Sequence, residues 1–170
     1  MEESQSSLVL KAREGDTEAY GKLVELHWER LVRLSRSMVG ESTAEDAVQD
    51  SLIAAWKKLD KLNNPESFKA WLTRIVYRRC LWWSRRRRFD DAVDDLPESA
   101  QAGDAESGIW VEQALSRLAP RQRAVLHLTV VEDLTDSEIG GLLGIAAGSV
   151  RAHRRRAREK LESLVEGGKR

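Results

Sequence analysis

"TDSEIGGLLGIAAGSVRAHRRRAREKLESL", residues Thr135 to Leu164, contains a short helix, a glycine stop and a longer basic helix. Thr135 and Glu138 have the spacing of a capping box, Ile139, Leu142 and Leu143 share an inward face, and Gly144 supplies a tight stop. The following helix places Val150, Ala157, Leu161 and Leu164 on its inner stripe. Two helices joined by a glycine turn, the second one basic, form the plan of a helix-turn-helix. Arg151, Arg154, Arg155, Arg156, Arg158 and Lys160 stand against a single Glu159, with like charges at i, i+4 that disfavour an isolated helix. Stability does not account for such a helix, but a polyanionic partner does. Arg151, Ala152, Arg155 and Arg156 lie along the side that would enter a major groove, where an arginine can bind a guanine with two hydrogen bonds. Arg154 and Arg158 fall off that line and are expected on phosphate.

Upstream, "GIWVEQALSRLAPRQRAVLHLTVVEDL" predicts two more helices, the first carrying Val111, Ala114, Leu115 and Leu118, the second opening at Pro120. Before them the charge sorts into blocks. Asp90 to Glu106 holds seven acids and no base, with a proline, a glycine and few large apolar residues. Such a segment builds no core and reads as a flexible acidic linker. From Arg74 to Arg88 there are seven arginines and no acid. Tyr77 and Trp82 are interleaved with them, a pairing that suits nucleic acid because arginine meets phosphate while rings stack on bases. Phe68, Trp71, Leu72, Ile75, Val76 and Trp83 form the core stripe of the same helix, which Asn64 and Pro65 open.

The preceding helix, "TAEDAVQDSLIAAWKKLDKL", is expected to start at a capping box from Thr43 to Asp46. Its inner stripe is Ala44, Ala47, Val48, Ser51, Leu52, Ala55, Trp56 and Leu59, and a second stripe holds Asp46, Gln49, Asp50 and Ile53. That second stripe reads either as a solvated face or as a docking face for a basic helical partner. Earlier still, Tyr20, Leu23, Val24, His27, Leu31, Leu34 and Met38 repeat at helical spacing behind Asp16 as N-cap, and Gly40 ends the run. His27 is expected to be a satisfied core histidine.

The chain has 170 residues, 41% of them hydrophobic and 33% charged, which bounds it to one modest core or two small ones. No apolar run approaches a membrane span, and the start has no signal-peptide pattern, so a cytoplasmic protein with no membrane insertion of its own is expected. One cysteine, Cys80, and three scattered histidines offer neither a disulfide framework nor a metal site. Cys80 is expected to be a small half-buried thiol. There is no phosphate loop, metal cluster or nucleophile arrangement, so neither an enzyme nor a cofactor is expected. The fold class is all-α: two small helical domains joined by the acidic linker, the C-terminal one a helix-turn-helix.

"AEDAVQDSLIAAW", "SFKAWLTRIVYRRC" and "LSRLAPRQRAVLHLTVVEDLTDSEIGGLLGIAAGSVRAHRRRAREKL", in this order and at these separations, resemble the bacterial sigma factors of the extracytoplasmic-function class of the sigma-70 family. The resemblance runs from about Leu8 to Leu164. It implies domains over 1–88 (region 2), 89–107 (linker) and 108–170 (region 4), with no further C-terminal domain. It also implies the partners: core RNA polymerase through the β′ clamp helices and β flap, promoter DNA, and an anti-sigma factor. Asp46, Gln49, Asp50 and Ile53 then take the clamp-docking positions, Asp50 standing where the family more often has Glu. Leu62, Asn63, Asn64, Arg74, Tyr77, Arg78 and Trp82 take the place where relatives read and trap a flipped base of the −10 element. Leu62 stands where some relatives have an aromatic, Arg78 where many have Asn, and Trp82 where many have Asp. Ser149, Arg151, Ala152, Arg155 and Arg156 map onto the −35 readers, flanked by Arg154 and Arg158. The linker corresponds to the segment that threads the polymerase channel. Ala146 takes a cap position commonly filled by Ser or Thr, and Gly140 and Gly141 each weaken their helix by about 1 kcal/mol, so a marginal second domain is expected. A helix-turn-helix activator or repressor acting without polymerase is the alternative, and it leaves the Asp46–Gln49–Asp50 face and the arginine-aromatic helix unexplained.

Overall fold

A computed structural model describes residues 4–90 and 113–167, which are helical throughout apart from short turns. The chain divides into two compact units, residues 1–80 and 81–170.

In the first unit, α1 (Gln5–Arg13) begins at Ser4, whose hydroxyl accepts from the Ser7 amide. The sequence reading gave no helix here, yet α1 buries Leu8, Val9 and Ala12 against its neighbours. Its Gln5 carboxamide lies 2.8 Å from His27 Nε2, and Ser6 hydrogen-bonds Glu66. Next comes α2 (Thr17–Val39), where the Asp16 carboxylate accepts from the amides of Glu18 and Ala19 at 2.9 and 3.0 Å. That N-cap removes two of the orphan donors of the first turn.

Gly40 ends α2 and at once begins α3 (Glu41–Trp56), in a backbone conformation with φ of 84°. A side chain would strain that turn. Because one glycine reverses the chain, α3 starts at Glu41 and Thr43 lies inside its first turn. The expected capping box from Thr43 to Asp46 is therefore not formed, and no side chain caps this helix. The ion pair from Arg36 to Glu41 spans the junction instead.

Two 3-10 turns, Leu59–Lys61 and Pro65–Ser67, lead into α4 (Phe68–Asp90). Asn64 caps the second turn through its carboxamide oxygen, which accepts from the Glu66 amide at 3.0 Å. The core of this unit joins Leu23, Leu31, Leu34 and Met38 of α2 with Val48 of α3, Leu59, and Phe68, Leu72 and Val76 of α4. Each such side chain fully withdrawn from water contributes about 1.5–3 kcal/mol before chain entropy is counted. His27 sits inside this core, its ring 5.6 Å from that of Phe68. Burial first, and then the charges of Arg30 and Lys69, hold its pKa down to about 4, so the buried ring is neutral. Cys80 is fully buried rather than half-buried, its thiol 3.3 Å from the Ser35 hydroxyl, and burial pushes its pKa up to about 11.

In the second unit, residues 113–116 are helical and precede α5 (Pro120–Val130), α6 (Asp136–Leu143) and α7 (Ala147–Gly167). Pro120 opens α5 as expected, and the Ala119 amide donates to the Gln122 carboxamide at 3.0 Å. Thr135 and Glu138 form the capping box of α6. Leu118, Ala124, Val125, Leu128, Ile139, Leu142, Val150 and Ala157 make the core. The expected linker begins within the last turn of α4, and its remainder past Asp90, with Val111, lies outside the described residues.

The turn between α6 and α7 rests on two glycines. Gly144 takes the left-handed conformation at φ of 72°, and the amides of Gly144 and Ile145 both donate to the Gly140 carbonyl, at 2.9 and 3.0 Å. Gly140 itself is buried, and a Cβ there would lie 2.7 Å from the Ile145 carbonyl oxygen. Its lack of a side chain is thus a packing requirement of the turn rather than a weakness of α6. Only Gly141, whose Cβ would meet nothing within 4 Å, keeps the expected cost.

Candidate nucleic-acid interface

Three exposed faces gather the residues expected to meet partners. The first lies on α3. Turning Ala44, Ala47, Val48, Ser51, Leu52 and Ala55 into the core leaves Asp46, Gln49 and Ile53 exposed and Asp50 half-exposed on the outer side. Ile53 is 57% exposed, an unusual position for a large aliphatic. Beside it, α2 and α3 enclose an apolar groove of about 550 Å³, lined by Tyr20, Val24, Trp28, Leu52 and Trp56 with Gln49 and Ile53 at its edge. Tyr20 frames this groove. Its hydroxyl donates to the Leu52 carbonyl at 2.7 Å, its ring lies 4.8 Å from that of Trp56, and burial raises its pKa to about 12. The groove was not anticipated, because it depends on the spacing between two helices and not on either stripe alone.

The second face follows α4. Arg74, Arg78, Trp82 and Arg85 fall on one exposed line, and the Arg86 guanidinium lies 5.4 Å from the centre of the Trp82 ring. Trp82 remains 45% exposed, an aromatic ring set among cations. Two residues expected here are placed otherwise. Tyr77 is 3% exposed and Leu62 is 4% exposed, both inside the core. On α4 the buried set is Phe68, Leu72, Thr73, Val76, Tyr77 and Cys80, so Tyr77 belongs to the inward side of the helix. Leu62 is the apolar anchor that fastens the turn between the two 3-10 segments. Both therefore support the surface rather than present themselves on it. Asn63 and Asn64 are exposed, with the Asn64 side-chain oxygen engaged in capping.

The third face is α7. Val150 and Ala157 point into the core, which leaves Arg151, Arg155, Arg156 and Arg158 exposed, Ser149 exposed and Ala152 half-buried. The repulsion expected along this helix is offset by acids. Glu159 lies 3.6 Å from Arg155, and Glu162 accepts from Arg158 Nε at 2.9 Å. Arg154 is held by Asp136 at the start of α6, with Nη1 to Oδ1 at 2.5 Å and Nη2 to Oδ2 at 3.3 Å. Arg154, expected on phosphate, has its guanidinium turned across to the neighbouring helix. His153 is half-buried, and burial, then the charges of Arg156 and Arg121, lower its pKa.

Among the described residues no group of three or more histidine, cysteine or acidic side chains could hold a metal ion, and no helix is long and apolar enough to cross a membrane.

Comparison with known proteins gives these faces a family. Residues 23–90 match the family described as Sigma-70 region 2, and residues 109–161 match Sigma-70, region 4. The RNA polymerase sigma factor NccH of Alcaligenes xylosoxydans xylosoxydans is 32% identical, covering 94% of this chain and 94% of that protein. The ECF RNA polymerase sigma factor SigM of Mycobacterium tuberculosis is 30% identical over 96% of this chain and 86% of its own. Among solved structures, CnrH in complex with the cytosolic domain of CnrY superposes with a TM-score of 0.71 at 28% identity, covering 97% of this chain and 99% of that one. RpoE of Bartonella quintana, solved with the anti-sigma factor NepR, gives a TM-score of 0.70 at 26% identity, covering 86% and 96%. A two-part match in the same order as the two helical units, with full-length relatives of one kind, favours a sigma factor over a regulator that acts without polymerase. The chain belongs to the extracytoplasmic-function sigma factors, the initiation factors that direct RNA polymerase to promoters.

Proposed function

We propose a division of labour among the three faces. The α3 face of Asp46, Gln49, Asp50 and Ile53 docks on the β′ clamp helices of core polymerase, the acids meeting basic side chains and Ile53 supplying apolar area. The α4 line of Arg74, Arg78 and Trp82, with Asn63 and Asn64 of the preceding turn, engages the −10 element. Arginines there hold the backbone, and Trp82 offers a stacking surface for an extruded base, which repays the few kcal/mol of unstacking. The α7 face of Ser149, Arg151, Ala152, Arg155, Arg156 and Arg158 enters the major groove at the −35 element, with region 4 leaning on the β flap. The regions span 1–88 and 108–170, and the acidic segment 89–107 connects them through the polymerase channel. The work is cytoplasmic and non-catalytic. An anti-sigma factor is a further expected partner, by analogy with the solved complexes of CnrH and RpoE.

The observation that carries this reading is the exposed acid, amide and aliphatic stripe of α3, opposite a fully buried small-residue stripe on the same helix. A DNA-binding regulator has no use for it. In vitro transcription with bacterial core polymerase on a pool of promoters tests the assignment. Protein-dependent transcripts are expected with the wild type and should be lost with Gln49→Ala plus Asp50→Ala. Transcripts that survive the double substitution would remove the α3 face from the docking site.

A further inference from the structure

We propose that Asp136 is a positioning residue for promoter recognition, which takes Arg154 out of the DNA-contacting set and holds Arg151 at the edge of the groove-facing surface. This rests on the reading of α7 as the −35 helix. Asp136 is the first residue of α6, but the capping of α6 is done by others: the Thr135 amide and hydroxyl donate to Glu138 at 2.8 and 2.6 Å, and the Glu138 amide donates to the Thr135 hydroxyl at 3.3 Å. The Asp136 carboxylate, not needed there, reaches across the turn to α7. It receives Arg154 through both terminal nitrogens, one on each oxygen, a fork that fixes orientation as well as charge. Asp136 is only 20% exposed and Arg154 36%, so water and salt screen the pair less than a surface pair.

Arg151 lies one turn earlier on α7, with Nη1 3.7 Å from Asp136 Oδ2, and stays 63% exposed. The same carboxylate thus borders two arginines and treats them differently. Arg154 is gripped, while Arg151 is kept on the α6 side with most of its guanidinium in solvent. The basic helix therefore offers DNA fewer cations than its sequence suggests, and the crossing of α6 over α7 is pinned at the end nearest Arg151.

The dependence of promoter affinity on salt reads the number of phosphates neutralised, which a merely structural role would not move. The full chain assembled with core polymerase would be titrated with a promoter fragment at several salt concentrations. Wild type would be compared with Asp136→Asn, Arg154→Gln, their combination, and Arg156→Gln as a control for a cation that does face DNA. Arg154→Gln alone is expected to leave the slope of log K against log salt unchanged. Asp136→Asn should release Arg154 to a phosphate and steepen the slope by about 0.9, an extra loss of about threefold in affinity between about 50 and 200 mM salt. Adding Arg154→Gln to Asp136→Asn should restore the original slope.

Two results overturn the proposal: a slope that flattens by about 0.9 in Arg154→Gln alone, or no steepening in Asp136→Asn. Melting of each variant followed by circular dichroism keeps the comparison to folded protein. Asp136→Ser serves in place of Asp136→Asn if the latter is unfolded. If Arg156→Gln also leaves the slope unchanged, the failure lies in the placement of α7 on DNA and the proposal goes with it.

Discussion

Gly140 and Gly141 are neighbours with the same intrinsic cost in a helix, yet alanine at the two positions should act in opposite directions. Replacing either glycine relieves about 1 kcal/mol of helix penalty. At Gly141 nothing lies within 4 Å of the new methyl group, so the gain is kept. At Gly140 the methyl carbon would stand 2.7 Å from the Ile145 carbonyl oxygen and 3.4 Å from the Ala147 nitrogen, both backbone atoms of the turn. That turn cannot yield freely, because the Gly144 and Ile145 amides are tied to the Gly140 carbonyl. Forcing a methyl group into such a contact costs about 1–3 kcal/mol, which cancels or exceeds the helix gain and separates the two variants by the same amount. The readout is amide hydrogen exchange of peptides from α6 and α7 in the full chain, which isolates the second unit. A gain of 1 kcal/mol slows exchange about fivefold, so Gly141→Ala should be slowed by that factor and Gly140→Ala left unchanged or accelerated up to about thirtyfold. If Gly140→Ala protects the turn as well as Gly141→Ala does, the close approach does not constrain this residue and the reasoning fails.

Ala146 occupies the N-cap position of α7, where its carbonyl accepts from the Val150 amide at 3.1 Å but its methyl group caps nothing. Ala146→Ser should stabilise the second unit by about 1 kcal/mol, seen as about fivefold slower exchange in the first turns of α7. His27 has a folded pKa of about 4 against an ordinary value of 6.5, so the unfolded chain binds the extra proton between these values. The stability that its neutral burial supplies is complete above pH 6.5 and is lost as pH falls toward 4, by at most about 3 kcal/mol. Denaturant unfolding at pH 7 and pH 4.5 should show a smaller pH dependence in His27→Phe than in wild type, and equal dependences would contradict the buried neutral ring.

Much of the helical plan is legible without coordinates. Apolar residues at i, i+3, i+4 define α2, α3, α4 and α7. Asp16, Pro120 and Thr135 mark starts, and Gly40 and Gly144 mark stops, because these signals act within a turn or two of chain; Asn64 and Pro65, expected to open α4, instead form a 3-10 turn, and α4 begins at Phe68. The misses have longer range or finer angle. α1 carries only Leu8, Val9 and Ala12 as a buried set, too few for a periodicity to stand out, and it is held by partners such as His27 that lie far along the chain. Tyr77 is one helical position away from the outward line of Arg74 and Arg78, and an amphipathic side chain gives no sign of which side it takes. Leu62 shows its inward role only once the turn it anchors is folded.

The sequence by itself determined most of the helices, the caps at Asp16 and Thr135, the segregation of acid from base and, through three motifs in order, the family. Those properties reside in neighbouring residues and in the one-dimensional order of the chain. Tertiary structure alone decided which charges pair across helices. Asp136 and Arg154 are 18 residues apart and meet only because the α6–α7 turn folds one helix across the other. The groove beside Ile53 likewise exists only because residues of α2 and α3 line it together. A count of arginines cannot separate an exposed cation from one held by a neighbouring helix, because that depends on distances between helices that only packing sets.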